Sequence, residues 1–388
     1  MGRHEGVPTR VWRASAGGGL VAMRVLLAGG GSGGSTAPVL AVAQALASRR
    51  PCHFLYVGTA GGPERELVSS AGIPLRTVRT GKLRRYWSLQ NLVDLVRIPA
   101  GLAESLALVR SFRPDVAFAA GGFAAVPPLL AAALLGVPTV IHQQDVEPGL
   151  ANRILAPFAR AVTVTFPDSL AHFPRGKTTL TGNPVRREIL AGSREEASRL
   201  LGVGLDRPTV LVTGGGTGAL SLNRLVVGAL PRLLPSCQVL HITGRGKAIQ
   251  VSETGGGYRY WEFLTVEMPH ALAVADLVVS RAGLSTLTEI AALGKPCILV
   301  PMPRSHQRAN AAAFAGADAA LVLDEEGLSP ELLADAILSL LVDRQRLVAL
   351  GENARSMMPS GAEGRIADVI ERVARRPALP GPEPREQR

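Results

Sequence analysis

Apolar residues come in short unbroken runs, and the runs recur along the whole chain. Strict alternation would mark sheets with one wet face; unbroken runs of four to six residues mark parallel strands buried on both faces. In the first half such runs fall at 25–28, 53–57, 116–119, 139–142 and 161–165. Strand candidates restart at 210–213, 238–243, 260–263, 277–280 and 297–300, the second and third of them interrupted by Gln238, His241 and Glu262. Helix-period segments lie between them, as at 39–48 and 89–110. Alternation of this kind predicts βα units and a parallel sheet in each half. The expected fold class is α/β, with two Rossmann-like, doubly wound domains. The hinge is expected near 182–187, and a last helix near 362–375 is expected to pack back on the first domain.

One run needs a decision. Residues 116–141 carry no charge and are long enough to span a bilayer. Gly121, Gly122, Pro127, Pro128, Gly136 and Pro138 cut them into strand, turn, helix and strand, so they read as a buried βαβ stretch.

The same turn closes the first strand of each half. Residues 24–34 read RVLLAGGGSGG and residues 209–219 read TVLVTGGGTGA. A strand feeding glycines feeding a helix is how an open α/β sheet builds a phosphate site. Glycine lets backbone approach the ligand, and the helix start supplies N–H groups with partial positive charge. Two copies imply two facing domains with a cleft between them. Both loops satisfy the dinucleotide glycine pattern, yet the strand ends that follow, LYVGTAGG and LHITGRGK, lack the acid that binds a dinucleotide ribose. That argues against NAD or FAD.

A third motif points to a nucleotide. Residues 280–292 read SRAGLSTLTEIAA. Gly283 to Thr286 form a turn that opens a helix, where N–H groups and hydroxyls suit a diphosphate. Glu289, one turn on, is placed to accept both hydroxyls of a ribose. Then His306, Gln307 and Asn310 open another helix, where amides suit sugar hydroxyls.

Charge and composition narrow the class. The 388 residues carry a formal net charge of +11, with 47% hydrophobic and 19% charged residues. An anionic substrate or an anionic membrane surface fits this balance. Nucleic acid does not, since no RNA-binding aromatic signature or zinc-finger spacing is present. Cys52, Cys237 and Cys297 lack metal-ligand spacing, and a reducing compartment follows most simply. Residues 1–22 read as a disordered extension or a mis-assigned start before Met23, and 377–388 as a disordered tail.

These motifs together resemble the MurG family of GT-B glycosyltransferases, over about 23–375. The landmarks are GGGSGGSTAPVLAVAQAL, GTAGGPERELV, GNPVRREIL, GGGTGALSLN, SRAGLSTLTEIAALGKPCILVP and HQRANA. The resemblance implies inverting transfer of N-acetylglucosamine from UDP-GlcNAc to the polyprenyl-diphosphate acceptor lipid I, giving lipid II in peptidoglycan synthesis. It implies an acceptor and membrane-side domain over 23–185, joined by the last helix, and a donor domain over 186–361. By position, Ser32, Gly33 and Gly34 fall in the first loop. Arg186 takes the diphosphate, Gly216 the second loop, and Leu264 the uridine. Leu284, Ser285, Thr286, Leu287 and Thr288 form the helix that cradles the diphosphate, Glu289 holds the ribose, and His306 with Gln307 holds the sugar. No Asp-x-Asp metal motif is evident, so no essential metal is expected.

Departures from the family pattern surround the chemistry. The histidine of the first loop is Ser35 here, the HEQN segment is His142, Gln143, Gln144 and Asp145, and the loop serine is Gly216. Asp145 is the expected general base, a carboxylate beside a site that lost its histidine, with His142 as the other candidate. These changes leave open another lipid or glycan acceptor, or a silent UDP-sugar-binding paralogue. Finally, Tyr86 and Trp87 stand among Lys82, Arg84 and Arg85, a combination that suits docking on an anionic leaflet at the cytoplasmic face of the membrane.

Overall fold

The computed structural model describes residues 11–12, 21–30, 33–62, 64–80, 89–216, 218–251 and 256–374, with backbone alone at 11–12, 33 and 89–98. Ser32 and the patch Lys82, Arg84, Arg85, Tyr86 and Trp87 lie outside the described residues. So do most of the leader and all of the tail for which disorder is expected.

The first unit is built on an eight-stranded sheet. Its strands are β1 (Val11–Trp12), β2 (Met23–Ala28), β3 (Cys52–Gly58), β4 (Leu75–Thr77), β5 (Val116–Ala119), β6 (Thr139–Gln143), β7 (Ala161–Val164) and β8 (Thr178–Leu180). The order is β1-β3-β2-β5-β6-β7-β8, with β4 also on β3. Pairing is parallel throughout except at β1, whose Val11 lies opposite His53. At residues 11 and 12 the structure therefore departs from the disorder expected of 1–22.

The two faces of β2 follow its period of two. Val25 and Leu27 pack with Val39, Leu46, Phe54 and Tyr56 on one side. Leu26 and Ala28 pack with Leu55, Phe112, Ala117 and Leu129 on the other. All of β2 from Val25 to Ala28 is fully buried, and Val25, Leu26 and Leu27 each contribute about 1.5–3 kcal/mol when taken from water. The uncharged 116–141 stretch divides into β5, a short 3-10 turn, the helix Val126–Leu134 and β6. Among the described residues no helix is long and apolar enough to cross a membrane.

The second unit is built on a six-stranded, all-parallel sheet. Its strands are β9 (Thr209–Thr213), β10 (Gln238–Ile242), β11 (Tyr258–Trp261), β12 (Leu277–Ser280), β13 (Cys297–Leu299) and β14 (Leu321–Val322), in the order β11-β10-β9-β12-β13-β14. Val210, Val212 and Val279 meet Leu222, Val226, Leu333 and Ile337 in its core. Strand order reverses at β2 in the first sheet and at β9 in the second, the switch points where open α/β sheets bind ligands. Each glycine-rich loop leaves one of them.

The first unit takes in the chain up to Gln144, then Pro148–Thr181, and the residues from Glu363 onward. The second takes Asp145–Glu147 and Gly182–Ala362. Asp145, expected in the acceptor domain, is thus grouped with the donor side. The helix Ala362–Ala374 puts Ile366, Ala367 and Ile370 into the core of the first unit. Cys52, Cys237 and Cys297 are buried free thiols, and burial pushes all three well above the ordinary thiol value.

Candidate active site

The donor-side site grows from the ends of β9 and β12. After β9, glycine is required by close approach. A Cβ at Gly214 would collide with the backbone of Gly218 and Ala219, and one at Gly218, whose φ is +68°, with Thr243 O and Gly244. Gly216, by contrast, opens on nothing within 4 Å, and a Cβ at Gly215 would lie 3.5 Å from Thr286 Oγ1. The loop therefore runs beside the start of the next motif's helix.

That helix is Leu284–Ala292, with Gly283 at its N-cap and no side-chain cap. Its first turn carries an uncompensated dipole and two half-buried hydroxyl residues, Ser285 and Thr286. Two residues expected in the diphosphate cradle turn inward. Leu287 is fully buried. Thr288 donates to Leu284 O at 2.8 Å and accepts from Asn183 Nδ2 at 2.7 Å. These side chains hold the helix down; the part that can meet an anion is 284–286.

Glu289 lies on the second turn and is engaged by Arg186. The guanidinium donates through Nη2 at 2.7 Å and Nε at 3.2 Å, both to Oε1. Burial pushes the Glu289 carboxyl above its ordinary range, and the Arg186 charge and hydrogen bonds oppose that. Arg186, assigned to a diphosphate by resemblance, is thus bound to the residue assigned to the ribose.

The sugar-side residues split. His306 is exposed at the N-cap of Gln307–Gly316. Gln307 turns back so that Oε1 accepts from Met302 N at 3.1 Å. Asn310 is fully buried and spends its whole amide: Nδ2 donates to Asp145 Oδ1 at 2.8 Å and to Ala282 O at 3.1 Å, while Oδ1 accepts from Val146 N at 3.1 Å. It fixes Asp145 beside the turn that opens Leu284–Ala292. Leu264 is buried, and the half-exposed ring beside it is Phe263, with the Arg245 guanidinium carbon 5.3 Å from its centroid.

Two expectations fail on burial. His142 lies in β6 with no exposed surface, its Nδ1 3.0 Å from Thr163 Oγ1 and its Nε2 3.5 Å from Thr165 Oγ1. An imidazole enclosed by sheet hydroxyls cannot take a proton from a substrate. Ser35 is buried in the helix Gly33–Arg49 beside Gly122, so its hydroxyl is withdrawn from solvent. Gly33 and Gly34 form the first turn of that helix.

Some groups were missed in the sequence. Glu64 is fully buried under the first glycine loop, where Oε1 accepts from Thr59 N at 2.8 Å and Thr59 Oγ1 at 2.5 Å. Arg281 is buried, donating to both oxygens of Glu325 at 2.7 and 2.9 Å, to Ser221 Oγ at 2.7 Å and to Val300 O at 2.9 Å. Burial pushes Glu325 up, but the bonds from Arg281 and Ser221 outweigh it and hold the carboxyl below its usual range. Under the second loop, His241 lies 3.0 Å from Asn223 Oδ1 and 3.0 Å from Tyr258 Oη, and Asn223 Nδ2 donates to Thr243 O and Lys247 O. The acids of GTAGGPERELV, set directly after a glycine-rich turn, are the one signal that could have exposed Glu64. Among the described residues no cluster of His, Cys, Asp and Glu is arranged to hold a metal.

A family model for the glycosyltransferase family 28 N-terminal domain matches residues 25–164, and one for its C-terminal domain matches residues 209–372. A protein of Clostridium kluyveri is 35% identical over 353 residues, 90% of this chain and 99% of its own. One of Lachnoclostridium phytofermentans is 36% identical over 354 residues, with 90% and 99% covered. Both are named UDP-N-acetylglucosamine--N-acetylmuramyl-(pentapeptide) pyrophosphoryl-undecaprenol N-acetylglucosamine transferase. The crystal structure of Acinetobacter baumannii MurG matches with a TM-score of 0.69 and 27% identity, over 90% of this chain and 99% of that one. The two doubly wound units define a GT-B glycosyltransferase. More narrowly, the chain belongs to glycosyltransferase family 28, in its MurG branch.

Proposed function

We infer that the protein transfers N-acetylglucosamine from UDP-GlcNAc to undecaprenyl-diphosphate-MurNAc-pentapeptide (lipid I), with inversion, to give lipid II. The observation that carries this reading is similarity over almost the full length of relatives bearing that activity in their names. The geometry of the second unit supports it. The diphosphate of the donor is dianionic and gains a further negative charge as UDP departs, and an uncapped helix start at 284–286 beside an open glycine at 216 suits it. One well-placed donor of this kind is worth about 2.7–4 kcal/mol in the transition state. Glu289 takes the ribose, Gln307 and His306 the sugar, and the backbone near Leu264 the uracil. Leaving-group charge is met by these donors without an essential metal, so a chelator is expected to leave turnover unchanged.

The acceptor hydroxyl needs a base, and Asp145 fills that role, held by Asn310. Asp145→Asn should cut turnover about 10²–10⁴-fold at unchanged UDP affinity; full activity in that variant would remove Asp145 from the chemistry. The segment bearing Lys82, Arg84, Arg85, Tyr86 and Trp87 docks on the anionic cytoplasmic face of the membrane, where a peripheral enzyme meets a lipid-linked substrate. The decisive experiment is UDP release from UDP-GlcNAc by purified protein, with and without a short-chain lipid I analogue. Release that requires the analogue is the expected result. UDP-GlcNAc binding without release would favour another acceptor or a silent paralogue.

A further inference from the structure

We propose that Arg186 is a positioning residue for the nucleoside: its guanidinium holds the buried Glu289 carboxylate ready to accept the two ribose hydroxyls. The inference rests on the reading of Glu289 as the ribose ligand and deepens it.

The geometry is specific. Both guanidinium bonds converge on Oε1, at 2.7 and 3.2 Å, and Oε2 stands outside the pair. A carboxylate gripped by one oxygen keeps acceptor capacity on the other, and a vicinal diol needs two acceptor sites. The Glu289 side chain keeps 12% of its surface and Arg186 keeps 31%, so the pair lies at the edge of the fold rather than sealed in it. Arg186 is itself held in place. Asn183, three residues earlier, donates to Thr288, the neighbour of Glu289, at 2.7 Å. Pro184 stiffens the link between them. The Arg186 carbonyl accepts from Ile189 N at 3.1 Å, so the segment is fastened at both ends.

The electrostatics require a partner of this sign. A buried carboxylate tends to take up a proton, and a protonated Glu289 would have one acceptor fewer for the diol. Arg186 is the charge that opposes this. Two nearby cations are engaged elsewhere: Arg355 of the packed helix Arg344–Met357 donates to Leu293 O at 2.9 Å, and Arg281 is held by Glu325.

Uridine separates the two roles, because it carries the ribose and no phosphate. Uridine and UDP affinities are measured by calorimetry from pH 5 to 8 for the wild type, Arg186→Gln, Arg186→Lys and Glu289→Gln. We expect Arg186→Gln to weaken uridine about tenfold or more, the scale of losing a charge-assisted pair. Its uridine affinity should also decline at a higher pH than in the wild type as the medium is acidified, since the unsupported carboxyl protonates sooner. Arg186→Lys should restore the pH midpoint, because it restores the charge, while recovering only part of the affinity. Wild-type uridine binding in Arg186→Gln, with UDP alone weakened, would overturn the proposal and leave Arg186 to the diphosphate. A loss equal at every pH and unrelieved by lysine would overturn it as well, as a packing defect. Unchanged uridine binding in Glu289→Gln would instead remove the ribose reading on which the proposal rests.

Discussion

The two glycine-rich loops leave equivalent strands through nearly the same sequence, and they enclose different things. Around the first, the missing side chains make room for an acid of the protein itself. A Cβ at Gly30 or Gly62 would collide with the Glu64 carboxylate, and one at Gly58 would stand 3.1 Å from its Cγ. Around the second, the glycines at 214 and 218 let backbone pack on backbone, while Gly216 faces open space next to a helix start. At Gly30 the close neighbour is a side chain of the protein itself, and at Gly216 no atom stands within 4 Å of a Cβ. A shared strand–glycine–helix pattern thus specifies a bend and a close approach, and the residues brought in from elsewhere decide what lies there.

Substitution at the glycines breaks the comparison most directly. Gly30 has φ +148°, and its Cβ would strike Glu64, so Gly30→Ala should combine backbone strain with overpacking. We expect a loss of about 3 kcal/mol or more in urea denaturation. A neutral result would mean that the Glu64 seat is plastic.

The next effect is confined to the second unit. Burial lowers the His241 pKa from 6.5 to about 4. The imidazole is neutral in the folded state and charges in the unfolded one, so its contribution is complete above pH 6.5 and is lost as pH falls toward 4. The full difference is about 3 kcal/mol. Hydrogen exchange should show weakening protection around β9 and β10 over that window, and His241→Gln should flatten it. Equal weakening in β2 and β3 would assign the acid response to other groups.

The smallest effect falls on Gly216. Gly216→Ser should change stability by less than about 0.5 kcal/mol, because nothing stands in the way. A new hydroxyl donor there should tighten UDP binding by about 0.5–1.5 kcal/mol. Destabilisation with no gain in affinity would show that the loop's open side is not the ligand's side.

The sheets were legible because they are long, apolar and unbroken: β2, β5 and β12 fall where the sequence reading puts them. The shortest outer strands were not. β4, β8 and β14 have three, three and two residues and are only partly buried, so no run marks them. β11 begins two residues before its expected start, because Tyr258 and not Phe263 is its buried aromatic. In the site, local features were readable: the turn at 283–286, the acid at 289 and the amides at 307 and 310. Pairings across long separations were not. Nothing in 186 or 289 alone announces their bond, and Arg281 gives no hint of Glu325. His142 was a candidate base because the family's HEQN segment falls on it, and only the sheet around it shows that its ring is enclosed.

The last helix has a consequence for biosynthesis. Ile366, Ala367, Ile370 and Val373 complete one side of the first sheet, yet the ribosome makes them after all of the second unit. While that unit is being synthesised, Val25, Leu27 and Phe54 have only part of their covering. A nascent chain halted before residue 362 would present that apolar side to chaperones, although most of the first unit's residues have already left the exit tunnel. The earlier-made half of the protein is therefore the later one to be finished.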